Sequence, residues 1–365
     1  MRRENNFTGP DALLLTKSAT HTFVARSTKL MSCRTNTKKG AQTKMFCNGK
    51  LSENREEWQT ETVSFYADLY KDDSITHGKF DPEKRFMLRH LQQNRLHEIR
   101  LRAMDQNTRH PLDVPLWMML ETRASYAAKA NSAPGGDGIK WGLFLSLDTA
   151  VVKHLATIFT KRINMKQTGM VSDWTNIMVK LLPKVNVANN IKYLRPISLC
   201  ACLQKWYCSI VMRLVETNYT PLSESAVGFR SGRQVGEVTE TLRTVLERGH
   251  AWGFGVHLLQ ADIRKAFDSM DHDCLITAMR DSDTPETLIH AVMQEITDCK
   301  MRLNLDGIEC DNEVLMFSAG RQGATETPYL WNMYVDTASK KAEKRFKDEG
   351  LGLTLAGGRG KQTSF

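Results

Sequence analysis

Gln260-Ala261-Asp262-Ile263-Arg264-Lys265-Ala266-Phe267-Asp268-Ser269-Met270-Asp271-His272 puts a carboxylate directly after an apolar run and an aromatic ring five residues beyond it. Upstream, Gly255-Val256-His257-Leu258-Leu259-Gln260-Ala261 is short, rich in apolar residues and bounded by Gly253 and Gly255, the pattern of a mostly buried strand. Asp262 then stands where that strand stops. A carboxylate in such a position suits Mg²⁺, which takes one or two carboxylates together with substrate phosphates and water. Phosphoryl transfer is the matching reaction. An acidic residue leaving a strand also serves as a helix N-cap or in a solvated turn, so this stretch alone leaves both readings open.

A second stretch, Ser318-Ala319-Gly320-Arg321-Gln322-Gly323-Ala324-Thr325-Glu326-Thr327-Pro328-Tyr329-Leu330-Trp331-Asn332-Met333-Tyr334, places a glycine-bracketed Arg-Gln before a segment with helical character. Gly320 and Gly323 allow a backbone to approach a ligand closely. Pro328 suits the first turn of a helix. An ordinary loop-to-helix junction has the same composition.

Three further blocks precede these two. They are Ala133-Pro134-Gly135-Gly136-Asp137-Gly138-Ile139, then Leu182-Pro183-Lys184 with Tyr193-Leu194-Arg195-Pro196-Ile197-Ser198-Leu199, then Gly228-Phe229-Arg230-Ser231-Gly232-Arg233. In this order, and followed by the Asp262 and Gln322 segments, they resemble the reverse transcriptase domain of a non-LTR (LINE-type) retrotransposon. Phe65-Tyr66-Ala67-Asp68-Leu69-Tyr70 is similar to the aromatic stretch that leads into such domains. Two departures stand out: Thr325 occupies the place of a proline, and the spacing before Gln322 is one residue short. Gly136 also replaces a proline in the first block.

The resemblance implies the fingers and part of the palm of a right-hand polymerase, an α+β fold, with a helical N-terminal extension and no thumb. It implies RNA-directed DNA synthesis from an RNA template, a DNA primer and dNTPs, with Mg²⁺, or Mn²⁺ in its place, as the cofactor. Asp262 matches the aspartate that holds both catalytic metals, and the Ile263 carbonyl is a further candidate ligand. Arg195 matches the fingers arginine that grips the incoming triphosphate, a task suited to a planar fork of donors, with Lys184 as a second candidate. Phe267 matches the ring that lies under the sugar and excludes a 2′-hydroxyl; a core aromatic has the same character. Gln322, with Arg321 beside it, and Gly323 line the nucleotide pocket. Arg230 and Arg233 look like nucleic-acid backbone contacts, with surface salt bridging as the competing role. Asp268 is as readily a helix cap as a ligand. Lys265 is most simply solvated or near phosphate, and Asp137-Gly138 shapes a turn.

Members of the family carry an aromatic-x-Asp-Asp hairpin after the glutamine block, and this sequence reaches Phe365 where it should begin. Asp72-Asp73 lies ahead of the fingers block and is no substitute. The chain as it stands is therefore expected to be inactive or nearly so. A noncatalytic nucleic-acid-binding remnant is the alternative from another class, and a group II intron maturase relative is a third reading that fits the Arg195 and Gly228 blocks less well.

Composition agrees with a nucleic-acid partner. The 365 residues carry a formal charge of +9, and each Lys or Arg that neutralises a phosphate releases a counterion. None of the eight cysteines forms a Cys-x-x-Cys pair, so a zinc site is not indicated and reduced thiols are expected. Cys202 and Cys274 sit among apolar neighbours and read as small core residues. No apolar run is long enough to span a bilayer, and no apolar secretory core opens the chain. The expected location is inside the cell, in the nucleus if insertion is target-primed, and oligomeric state is left open.

Along the chain, residues 1–57 read as a basic polar leader, 58–130 as a helical extension, and 131–365 as fingers and partial palm. Helices are predicted over Leu147–Asn164, Leu199–Leu214 and Pro285–Asp298, the last with Thr284 as N-cap. A strand is predicted over Ile177–Leu182, and a strand pair turning at Asp306-Gly307 within Met301–Phe317.

Overall fold

A hairpin of β1 (Met45–Cys47) and β2 (Lys50–Ser52) leads into helix α1 (Arg55–Leu69). The computed structural model describes residues 44–47, 49–105, 112–165, 172–185, 189–218, 222–253, 255–258, 260–318 and 320–350. Most of the expected leader therefore lies outside the described residues. Asn54 caps α1 by accepting from the Glu56 N–H at 3.0 Å, and Glu56 and Glu57 in the first turn suit the positive end of the helix dipole. A second hairpin, β3 (Ile75–Thr76) and β4 (Lys79–Phe80), is followed by α2 (Pro82–Met104) and α3 (Leu116–Ser125). Next come α4 (Trp141–Leu145), α5 (Thr149–Ile163) and α6 (Ser172–Thr175).

The central sheet begins with β5 (Asn176–Pro183) and β6 (Leu194–Leu199). Helices α7 (Cys202–Thr217), α8 (Val235–Ala251), α9 (His272–Asp281) and α10 (Glu286–Ile296) intervene before β7 (Lys300–Leu305), β8 (Ile308–Glu309) and β9 (Val314–Leu315). Helix α11 (Thr327–Asp348) follows, with Pro328 in its first turn as the sequence predicts. The strand order is β6-β5-β7-β8, with β9 also paired to β7. β5 runs antiparallel to β6 and parallel to β7. Helices and sheet mix without regular alternation, which is an α+β arrangement.

Strand alternation decides which residues face the core. Ile177, Val179 and Leu181 of β5 and Met301, Leu303 and Leu305 of β7 lie on one face and are buried with Trp58, Val63, Tyr66, Ala67 and Tyr70 of α1 and its C-cap. A second core joins α3, α5, α7 and α10 through Met119, Phe159, Trp206, Tyr207, Ile210 and Leu288. Inside it Arg162 pairs with Glu295 at 2.6 Å, Gln204 donates to the other carboxylate oxygen at 3.0 Å, and Arg162 stacks 4.9 Å from the Trp174 ring. A buried charge of this kind persists only when paired and hydrogen-bonded.

Several predicted elements form. The Ile177–Leu182 strand is the interior of β5, and α5 fills the predicted Leu147–Asn164 helix with Asp148 as its cap. Asp306 and Gly307 both have positive φ, 52° and 89°, as a two-residue type I′ hairpin turn requires. Asp137 and Gly138 do shape a turn: the Ile139 N–H donates to Asp137 Oδ1 at 3.1 Å and the Gly138 N–H to the Gly135 carbonyl at 3.1 Å.

Other expectations are corrected. The described residues of Gly255–Ala261 form no strand and are largely exposed. None of the described strands pairs with them, and an extended segment without a neighbouring ladder is hydrated rather than buried. Helix α7 starts at Cys202 rather than Leu199, because Leu199 still belongs to β6. Thr284 does not cap α10; Pro285 holds the cap position without a side-chain bond, and Thr284 is buried instead. Cys202 is a core residue as expected, but Cys274 lies on the exposed side of α9. The seven described cysteines are all free thiols.

Candidate active site

Asp262 and Ile263 sit on an exposed loop, with Ile263 52% accessible. The loop then tightens. Lys265 adopts φ +52°, and Phe267–Ser269 form a single 3₁₀ turn. Asp271 accepts from the N–H groups of Asp273 at 3.0 Å and Cys274 at 3.2 Å, so it is Asp271, not Asp268, that caps the following helix α9.

Asp268 is buried, only 6% exposed. Burial pushes its carboxyl above the ordinary carboxylate range, and the Gln322 amide with the nearby Lys265 and Lys184 charges offsets part of that rise. Tyr66 and Tyr70 lie close enough that burial and the Asp268 charge both hold their hydroxyls protonated well above the usual phenol range. The Lys265 ammonium rests 4.7 Å from the centre of the Phe65 ring, and partial burial lowers its pKa although Asp268 acts in the opposite sense. Lys265 is thus exposed, as the solvated reading expects, and its ammonium also packs over an aromatic face.

The Gly320–Gly323 loop closes on this turn from the other side. Gln322 Nε2 donates to both oxygens of Asp268, at 3.0 and 3.1 Å. The Gly320 N–H donates to the Phe267 carbonyl at 2.8 Å, and the Ser198 N–H donates to the Gln322 carbonyl at 2.7 Å. Blocks far apart in sequence, β6, the Asp262 loop and the Gln322 loop, thus meet through four hydrogen bonds. What approaches the glycines closely is the protein itself: a Cβ on Gly323 would lie 3.2 Å from the Ser198 carbonyl oxygen, and one on Gly320 would lie 2.5 Å from Thr327 Cγ2. Gly323 also has φ +98°, which side-chain-bearing residues rarely adopt.

Arg321 does not line a pocket. Its side chain is fully buried and forms an ion pair with Glu326, donating from Nε to Oε1 at 2.9 Å, while its carbonyl accepts from the Thr327 hydroxyl at 2.8 Å. Successive residues of one loop thus point opposite ways, Arg321 into the core and Gln322 toward Asp268.

Arg195 is exposed and pairs in register with Leu182 across the β5–β6 hairpin. It shares the outward face of β6 with Ile197, whose Cγ2 would lie 3.5 Å from a Cβ on Gly323. Lys184 follows β5 at the same end, its N–H donating to the Tyr193 carbonyl at 2.7 Å. Arg195 and Lys184 thus lie toward the loop end of the hairpin, while Gly323 packs against Ile197 and Ser198 farther along β6.

Phe267 is half-buried among aromatic rings. Its centroid lies 6.0 Å from Phe229 and 5.9 Å from Trp331, the latter edge-on at 85°. Phe229 and Trp331 escaped the sequence reading, since nothing local marks them as neighbours. Arg230 donates to the Ser223 and Ala226 carbonyls, each at 3.0 Å, and Arg233 pairs with Glu224 at 3.2 Å and Glu237 at 3.1 Å. Both arginines brace the loop that carries Phe229.

Among the described residues no three His, Cys, Asp or Glu side chains gather as a metal-ligating group. Asp262 and the Ile263 carbonyl offer one carboxylate and one neutral oxygen, a donor set too sparse for a pair of octahedral ions. The described residues do not by themselves fit a two-metal centre.

The family described as reverse transcriptase (RNA-dependent DNA polymerase) matches residues 182–357. The chain is also 21% identical over 207 residues to the retrovirus-related Pol polyprotein from type-1 retrotransposable element R2 of Popillia japonica. That alignment covers 56% of this chain and 28% of the relative, so the chain spans well under a third of that protein's length. Strand β6, the Asp262 loop and the Gln322 loop all fall inside the matched range, and over residues 182–357 the chain is similar to the reverse transcriptase family.

Proposed function

We propose that this chain supplies the nucleotide- and template-binding part of an RNA-directed DNA polymerase. Fingers and partial palm occupy residues 131–365, behind the 58–130 extension and the 1–57 leader. One observation carries the reading most directly: Gln322 holds the Asp268 carboxylate while its carbonyl extends β6, so the Phe267 turn is tied to the strand that bears Arg195. In the proposed complex Arg195 and Lys184 grip the triphosphate of a dNTP, which a guanidinium fork and a mobile ammonium suit. Phe267 lies under the sugar, and Gln322 and Gly323 border the nucleotide. Arg230 and Arg233 steady the loop facing the RNA template and DNA primer.

Asp262 is the chain's candidate metal-holding carboxylate, with Ile263 beside it. Mg²⁺, or Mn²⁺, would neutralise developing charge in polymerase chemistry, and further carboxylates are needed to hold such a pair. That sparse donor set also favours a second reading, a domain that binds nucleic acid without turnover. Among the described residues no helix is long and apolar enough to cross a membrane, and the proposed site of action is inside the cell.

Two assays separate these readings. Titration of the purified chain with an RNA/DNA hybrid over a range of salt should give affinity that falls as salt rises; flat or absent binding refutes both. Primer extension on an RNA template that is lost in Asp262→Ala supports catalysis by this chain, whereas salt-sensitive binding without extension supports the binding role.

A further inference from the structure

We propose that Phe229 is a nucleobase-stacking residue, its ring held out as a platform for a purine or pyrimidine beside Phe267; this rests on the nucleic-acid reading above. Phe229 is 61% exposed, yet the loop around it is anything but loose. Asn332 Nδ2 donates to the Gly228 carbonyl at 2.6 Å on one side, and Arg230 grips the Ser223 and Ala226 carbonyls on the other. Between these anchors Phe229 takes φ +54°. A bulky side chain in the left-handed region is uncommon and persists only where its surroundings impose it.

The loop thus spends backbone strain and three side-chain hydrogen bonds to hold an apolar ring in water. Tucking that ring into the core would be the cheaper outcome for stability alone.

The geometry specifies the ligand class. Phe229 and Phe267 are 6.0 Å apart and tilted by 51°, too close and too skewed for a base to enter between them. Trp331 closes Phe267 from its far side, and Tyr334 stacks on Trp331 at 5.9 Å. The free surface is therefore the outer face of Phe229, backed by three further rings. Arg230 spends its hydrogen bonds on neutral carbonyls, and among the described residues no carboxylate lies within ion-pair distance of it. A flat apolar face next to an unneutralised cation matches a base and its phosphate, and such stacking tolerates any base because every base presents a π-face.

The test uses the purified full chain and fluorescence anisotropy with a labelled oligothymidylate and an abasic strand of the same length, with dTTP as competitor. Circular dichroism checks that Phe229→Ala and Phe229→Trp keep the fold. The expected result is that Phe229→Ala weakens the oligothymidylate on the order of tenfold, leaves the abasic strand unchanged, and that Phe229→Trp restores binding. Competition by dTTP for the Phe229-dependent part assigns the base to a mononucleotide; its failure to compete assigns it to the strand. Equal weakening of both strands, or no preference for bases in the wild type, overturns the inference and leaves the nucleic-acid reading standing. Absence of binding to either strand overturns both.

Discussion

Replacing Gln322 by alanine removes the donor that serves both oxygens of Asp268, a carboxylate only 6% exposed. A hydrogen bond to a charged group contributes roughly 1.5–3 kcal/mol, so a loss of about 2 kcal/mol at neutral pH is expected. For a unit of roughly three hundred residues that lowers the melting temperature by about 3 °C. The pH dependence carries the sharper test. Burial raises the folded-state pKa of Asp268 above its ordinary value, with Gln322 opposing the rise. Between the unfolded and folded values the native state holds more protons than the unfolded state, so stability falls as pH rises through that window. Gln322→Ala raises the folded value further and deepens the deficit where Asp268 is ionised. The loss should be larger at pH 7.5 than at pH 4.5, and it should shrink in an Asp268→Asn background, where no charge needs the donor. Urea unfolding of the two single variants and the double variant at both pH values completes the cycle. Equal losses at the two pH values, or a loss unaltered by Asp268→Asn, would refute the idea that Gln322 acts by stabilising a buried charge.

Glu326→Gln leaves the fully buried Arg321 guanidinium without its counter-charge and should cost about 3–5 kcal/mol, whereas the paired replacement Arg321→Met with Glu326→Leu should cost far less; thermal unfolding compares them, and equal costs would contradict the assignment. Gly135→Ala places a Cβ 2.5 Å from the Ala201 nitrogen and 2.6 Å from its Cα, backbone atoms that cannot move aside, so a drop in melting temperature is expected there but not for Gly136→Ala, where the space is open. Asp262→Ala, on an exposed loop, should shift stability by no more than about 0.5 kcal/mol; a large loss would mean that Asp262 has a structural role instead.

Much of the fold was legible because its signals are local. The short apolar run Ile177–Leu182 announced β5, the Leu147–Asn164 segment announced α5, and Asp306-Gly307 announced a turn that needs two positive φ angles. Order and spacing of the blocks around Arg195, Gly228, Asp262 and Gln322 were enough to indicate the reverse transcriptase family. The Gly255–Ala261 strand misled because apolar content describes only what a segment can offer, while a ladder needs a partner that no window of sequence contains.

Residue identity and order pointed to the class of domain and to its chemically capable side chains. How those side chains are used depends on which neighbours the fold brings to them. Arg321 and Gln322 are adjacent and equally polar in sequence, yet one is buried against Glu326 and the other holds Asp268. Lys265, read as solvated or near phosphate, is exposed and also lies over Phe65, some two hundred residues earlier in the chain. Phe229, Phe267 and Trp331 form one aromatic row from three separate segments. The physical reason is common to all of these: burial, charge pairing and ring contacts are set by neighbours in space, and a residue's type fixes what it can bind but not what stands beside it.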